Sequence, residues 1–287
     1  MLSFADFSLI AGRFARAALT STRSRDADPS LRGEVTGELR DVAIDRERLQ
    51  RYAKECGFPD DGYLPVTYPH ALCAALHVGM ISKPGFPFPV FGVVHVRNTI
   101  TQRRRIGSDE TVSITARLSE PRSVRTGYEY DLVSHVETDA ERVWSEVTTF
   151  LVRAKVNATS RPPTGPKLPD PPDGREEWFV DSAQGRRFAL ASWDFNPIHI
   201  SSTLAKLFGF GSAIAHGMWM LARGAAALDT LDGVDALELD AYFRRPMPMP
   251  GRVSFVHRTE GERSVFAVVR PRDGKPHLVA EAKRRPE

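Results

Sequence analysis

The 287-residue chain is poor in cysteine, with only Cys56 and Cys73. Two thiols make no disulfide framework, and neither lies in the ligand spacing of a structural zinc site. That scarcity fits a reducing, cytoplasmic setting. Also lacking is any apolar run near the roughly 18–20 residues that a spanning helix needs, so no integral membrane span is expected. Charge of one sign is not in excess either: 39 Lys and Arg face 36 Asp and Glu, for a net charge of +3. So small an imbalance gives no reason to expect a nucleic-acid partner. What is present is a globular composition, 41% hydrophobic and 26% charged. The length suits one large domain or two of ordinary size.

The first 25 residues carry Arg13, Arg16, Arg23 and Arg25 among apolar residues. They could be a targeting peptide, a helix lying on a membrane surface, or a terminal helix packed on the domain. Asp6 and the absence of a continuous apolar core favour the last, so residues 1–32 are expected to form an N-terminal helical extension. The strongest internal boundary is the stretch 161–174, which holds six prolines. Such a run can be neither helix nor central strand, and predicts an extended linker over 157–175. It separates two parts of similar size, 33–156 and 176–287.

Both parts show a similar order of elements. In the first, 45–56 reads as a helix opened by Asp45 as N-cap and closed by Gly57, and 69–81 as an apolar helix opened by proline. Strands are then expected over 90–100, 111–118, 128–136 and 142–154, which are rich in Val, Thr and aromatics. In the second part, helices are expected over 181–192 and 216–231. Strands should follow over 236–243, 252–258, 264–269 and 277–283, with turn residues between them. Pattern alone therefore gives an α+β unit used twice.

Chemistry concentrates in the second part. Pro197 blocks helix upstream of itself, so Asp194-Phe195-Asn196 should be a turn. A turn there can bring the Asp194 carboxylate and the His199 imidazole to one side, a cradle for a water molecule with one proton acceptor and one donor. A simpler reading has Asp194 and Asn196 capping the next helix, with His199 an ordinary polar residue. Seventeen positions after His199, His216-Gly217-Met218 opens an apolar helical run. The Gly217 N–H at a helix start, backed by the helix dipole, suits an oxyanion growing on a thioester carbonyl. Alternatively the glycine serves close packing. His216 itself reads best as a buried, hydrogen-bonded histidine.

The segment resembles the MaoC-like, or R-specific enoyl-CoA hydratase (hydratase 2), family of hot-dog proteins. Phe188, Ser192, Asp194, Asn196, Pro197, Ile198, His199 and Ala205 match its motif, and His216-Gly217-Met218 its later signature. The resemblance covers the second half. The first half resembles the degenerate unit of tandem members, best over 64–70 and 86–98, and has no Asp-x-Asn-Pro-x-His of its own. It implies a double hot-dog fold, each half an antiparallel sheet wrapped around a helix. It further implies reversible hydration of trans-2-enoyl thioesters to (3R)-3-hydroxyacyl thioesters. Asp194 and His199 would activate the water, with the Gly217 N–H polarising the thioester carbonyl. Asn196 would support the loop and touch substrate. Phe243 would contact substrate, and Arg244 and Arg245 would meet coenzyme phosphates unless they are merely solvated. The first half would shape the acyl cavity without reacting.

The resemblance calls for no metal and no redox cofactor; the partner is an acyl-CoA or acyl-carrier-protein thioester. Rival readings are a hot-dog acyl thioesterase and a non-catalytic acyl-thioester-binding protein. A metal site from Asp194, His199 and His216 matches no common zinc spacing. A tandem fold supplies its own pairing, so a monomeric pseudo-dimer or a homodimer is expected. One position departs from the pattern: Trp193 stands where the family often has glycine. Arg103-Arg104-Arg105 is expected to be a solvated loop.

Overall fold

The computed structural model describes residue 30 and residues 34–81 and 93–285. The expected N-terminal helical extension lies outside the described residues apart from residue 30, as does much of the 86–98 stretch. The first half opens with β1 (Thr36–Ala43), helix α1 (Arg46–Cys56) and helix α2 (Tyr68–Ile81). The strands β2 (Val93–Gln102), β3 (Thr111–Leu118), β4 (Arg122–Val124), β5 (Gly127–Thr138) and β6 (Glu141–Arg153) follow. The second half begins with β7 (Gly174–Val180). Four helices come next: α3 (Gln184–Ser192), α4 (Pro197–Ile200), α5 (Ser202–Leu207) and α6 (Gly217–Ala226). A short 3₁₀ turn (Asp229–Leu231) leads to β8 (Leu237–Phe243), β9 (Gly251–Glu260), β10 (Arg263–Val269) and β11 (Pro276–Arg284).

Local chemistry explains the helix ends. The Asp45 side chain accepts the Arg48 N–H at 3.1 Å, satisfying one of the amides a helix start leaves over. Gly57 closes α1 with φ 88°, in the left-handed region that costs glycine nothing. Leu49, Tyr52, Ala53 and Cys56, one helical face, go into the core. Helix α2 shows no such one-sidedness: Tyr68, Ala71, Leu72, Cys73, Val78 and Met80 are all buried, as befits a helix enclosed by sheet.

All strands join one antiparallel sheet in the order β1-β3-β5-β6-β2-β8-β11-β10-β9-β7, with β4 paired to β5. The order is a mirror about the β2–β8 seam, where Arg97 pairs with Tyr242 and Gln102 with Leu237. Each half wraps its own helix: α2 packs on β1, β3 and β5, and α6 on β10 and β11. This is the expected double hot-dog fold. At Gly224 on α6 an added Cβ would lie 2.5 Å from the Phe266 ring, so the helix approaches the sheet more closely than any larger residue permits.

Three strands, β1, β4 and β7, were not expected from the pattern. β7 begins at Gly174, inside the stretch read as linker, and pairs Gly174–Val180 with β9. The expected helix over 216–231 stops at Ala226. Leu228 takes an extended backbone and turns its side chain, 2% exposed, into the core before the 3₁₀ turn. The arginine run is only partly free: Arg104 makes a two-pronged pair with Glu110, and Arg105 pairs with Asp61.

Candidate active site

The loop after α3 is built by a chain of short-range hydrogen bonds. Ser192 Oγ donates to the Phe188 carbonyl at 2.8 Å and accepts the Asp194 N–H at 3.2 Å. Asp194 Oδ1 accepts the Asn196 N–H at 3.1 Å, and Asn196 Oδ1 accepts the Ile198 N–H at 3.4 Å. Asn196 is therefore the N-cap of α4, with Pro197 at the first helical position, where its missing N–H costs nothing. The simpler capping role and the loop-supporting role of Asn196 are thus one and the same.

His199 is locked by the Ile214 carbonyl, 2.8 Å from Nδ1. A carbonyl only accepts, so Nδ1 carries the proton and Nε2 keeps its lone pair. The Asp194 carboxylate, His199 and His216 bring ligand-type atoms within 4.8 Å of one another. Asp194 keeps 43% of its side-chain surface open. Crowding by protein pushes its carboxyl up, but the His216 and His199 imidazoles and the Asn196 N–H outweigh that, and the pKa falls below the ordinary value. Burial draws the His199 pKa below 6.5, against the opposing charge of Asp194. At neutral pH the site thus holds a carboxylate beside a neutral imidazole.

His216 is 1% exposed and donates from Nε2 to the Asp194 backbone carbonyl at 3.0 Å. Its ring stacks on that of His199, centroids 3.9 Å apart. Burial, then His199, brings its pKa to about 3, so it stays neutral. It is the buried, bonded histidine expected, and the bond it makes fixes Asp194. Toward a metal ion, His199 Nε2 and the Asp194 carboxylate keep free lone pairs, whereas His216 would have to give up its Nε2 bond or use its buried Nδ1, for which no partner is found among the described residues.

Gly217 begins α6. The first amide bonded into this helix is that of Met220, to the His216 carbonyl at 3.2 Å, so the Gly217 N–H has no place in its ladder. An added Cβ at Gly217 would lie 2.9 Å from the Phe243 ring, which places Phe243 against the helix start. Arg244 and Arg245 follow on the exposed strand end. With Phe243 itself they line a cavity of about 250 Å³, together with Arg97, Tyr242 and the linker prolines Pro162 and Pro163. The structure thus brings Asp194, Asn196 and His199 together on one loop, and Gly217 with Phe243. It does not bring the two arginines to the Asp194 carboxylate.

Trp193 has φ 64° and is the left-handed C-cap of α3, which is why glycine suits that position. The strain is offset by Arg48, whose guanidinium lies 4.0 Å from the Trp193 ring centroid. Two further residues escaped the sequence reading. Arg48 belongs to the first half yet holds this loop. Gly185 sits where an added Cβ would come within 1.9 Å of the His199 carbonyl oxygen. Gly185→Ala should therefore push α4 off α3, destabilising the fold by about 1–3 kcal/mol and lowering turnover, measured by thermal melting and initial rates. An alanine variant with unchanged turnover would show that α4 does not need this close approach.

A double hot-dog with a single Asp–His loop facing a helix start defines a class of hydro-lyase-like site. The chain belongs to the MaoC-like dehydratase family. The family described as MaoC like domain matches residues 164–279. The 3-hydroxyacyl-thioester dehydratase X of Mycobacterium tuberculosis is 32% identical over 249 residues, 85% of this chain and 88% of that protein. The crystal structure of HtdX from the same organism superposes with a TM-score of 0.76 at 29% identity, covering 87% of this chain and all of that one. A MaoC-like dehydratase from Phytophthora capsici shares the fold, with a TM-score of 0.73 at 17% identity over 89% of this chain and 96% of its own. Among the described residues no helix is long and apolar enough to cross a membrane.

Proposed function

We propose that this chain catalyses the reversible hydration of trans-2-enoyl thioesters to (3R)-3-hydroxyacyl thioesters, the dehydratase reaction in reverse. The observation that carries the reading is the His199 tautomer. With Nδ1 committed to Ile214, Nε2 is the nitrogen left with a lone pair, on a ring that brings a nitrogen within 4.8 Å of the Asp194 carboxylate. A water held by both acceptors has its oxygen lone pair free to attack C3. One of its protons passes to this pair and is delivered to C2, while the Gly217 N–H takes up the charge that grows on the thioester oxygen. Neither step calls on a metal or redox cofactor. The relative from Mycobacterium tuberculosis, named a 3-hydroxyacyl-thioester dehydratase, supports this substrate class. Arg244 and Arg245 would meet the phosphates of the thioester carrier at the cavity mouth.

The test is hydration of crotonyl-CoA, followed as loss of enoyl absorbance, with chiral analysis of the product. Chelators should leave the rate unchanged. Free CoA as the main product would overturn the assignment in favour of a thioesterase. Protonating His199 removes the acceptor, and its pKa lies below 6.5. The acid limb of kcat/KM should therefore fall below pH 6.5, with a plateau from there through neutrality. An acid limb centred above pH 6.5 would contradict the neutral imidazole.

A further inference from the structure

The cavity beside Phe243 lies where the two halves join. In the β2–β8 seam Arg97 of the first half pairs with Tyr242 of the second, which brings Arg97 to the strand end that carries Arg244 and Arg245. The linker between the halves closes the space. Its start is tied down where the Ser160 carbonyl accepts the Arg125 N–H at 2.9 Å, and Pro162 and Pro163 then line the cavity. At Gly165 an added Cβ would lie 2.5 Å from the Tyr242 ring, so the linker is seated directly on the seam. It is a wall of the cavity as well as a connection.

Three arginines, Arg97, Arg244 and Arg245, line this cavity, and none makes an ion pair among the described residues. Elsewhere in the chain arginines find carboxylates: Arg104 meets Glu110, Arg187 meets Asp181 and Arg263 meets Glu281. The one carboxylate in the lining, Glu129, is 3% exposed and accepts from Arg122 Nε at 3.1 Å. Two others on these strands are also engaged, Asp131 by Arg122 and Thr149, and Asp240 by Thr99 and Tyr242. Arg97 Nε is buried and has no partner among the described residues. A buried donor left unbonded destabilises a fold, and a charged one more so. What Arg97 lacks is an anionic acceptor. The volume of about 250 Å³ falls below the ~300–1,000 Å³ that encloses a whole drug-sized ligand, so the space suits a small anionic group.

We propose that Arg97, Arg244 and Arg245 form a pocket for a phosphate group, walled by the proline linker. A phosphate brings several strong acceptor oxygens, which planar guanidinium forks bond in pairs. Phe243 lines the cavity and also packs at Gly217, so a phosphate held here is tied to the wall of the thioester site. That the phosphate belongs to the thioester carrier rests on the hydratase reading; a free phosphate would satisfy the same arginines. On that reading Arg97 is a specificity residue supplied by the first half, across the seam from the reacting groups.

The experiment measures binding, so it does not depend on turnover. Coenzyme A, pantetheine and inorganic phosphate are titrated calorimetrically into the full-length protein. Coenzyme A should bind about tenfold tighter or better than pantetheine, which lacks the phosphates. Arg97→Met should remove most of that difference and leave pantetheine unaffected. Because Arg97 Nε has no partner in the fold, this variant should melt no lower than wild type, which a merely structural arginine would not allow. If it does melt lower, Arg244→Met, at the exposed strand end, decides instead, with the same loss expected. A loss for coenzyme A identifies the carrier as the source of the phosphate, and a loss for inorganic phosphate alone identifies a free anion. Coenzyme A and phosphate bound as well by the deciding variant as by wild type would overturn the proposal. Crotonyl-CoA hydration is read separately. Arginine-dependent affinity without turnover would count against the activity, whereas turnover with an affinity indifferent to these arginines would count against the pocket.

Discussion

Asp194→Asn should lower kcat by about 10²–10⁴-fold with little change in KM, and His199→Gln should do the same. The amide introduced by the first substitution preserves the shape of the side chain. Its oxygen can still accept the Asn196 N–H, so the loop has no reason to rearrange. It would no longer take a proton from water. The glutamine introduced by the second would likewise keep a donor for the Ile214 carbonyl but would lack the imidazole lone pair. On the proposed mechanism the two groups act on one water, so the double variant should be scarcely worse than either single one. Melting temperatures within a degree or two of wild type would assign the losses to chemistry rather than folding. Full activity in either single variant would remove the acid–base assignment. Additive losses in the double variant would mean that the two groups act in separate steps.

The loop that carries Asp194, Asn196 and His199 was legible in the sequence because its logic is local. Pro197 as helix opener, Asn196 as cap and Asp194 two residues before the cap are contacts spanning two or three residues. The two-copy architecture was legible for the same reason, since strand alternation and turn residues repeat along the chain. What could not be read is what the fold brings from afar. Arg48 reaches Ala191 across 143 positions, and His70 meets Glu146 across 76. Gly185 carries no local signal, because the His199 carbonyl that lies against it comes from α4. β7 was hidden because its partner strand, β9, lies more than 70 residues downstream and its own Glu-rich outer face suppresses the apolar signal. Trp193 stood out in the sequence as a departure. Only its φ of 64° and the guanidinium above its ring show how the departure is accommodated.

Those long-range contacts make the first half necessary to the loop, and Arg48 gives the sharpest test. It is 5% exposed, yet its guanidinium donates to the carbonyls of Ala191 at 2.9 Å, Ala71 at 2.5 Å and Ser192 at 3.2 Å. Ala191 and Ser192 end α3, where carbonyls have no partner within the helix and the dipole favours a cation. Burial pulls the Arg48 pKa below its ordinary value, with the coulombic influence of Tyr68 and Asp45 opposing it. Two effects therefore compete in Arg48→Met. Removing a buried charge relieves its desolvation, but three buried carbonyls lose their donor, at about 1–3 kcal/mol for each left unsatisfied. The loss outweighs the relief, because carbonyl dipoles and an aromatic face already compensate the charge in the folded protein. A net destabilisation of about 2–4 kcal/mol is expected, read as a lowered denaturation midpoint. Turnover should fall with it, since Trp193 would lose its partner and the Asp194 turn would loosen. Arg48→Lys should recover little, because one ammonium cannot span carbonyls on two helices as a planar fork does. A methionine variant as stable and as active as wild type would show that the second half holds its Asp194 loop unaided.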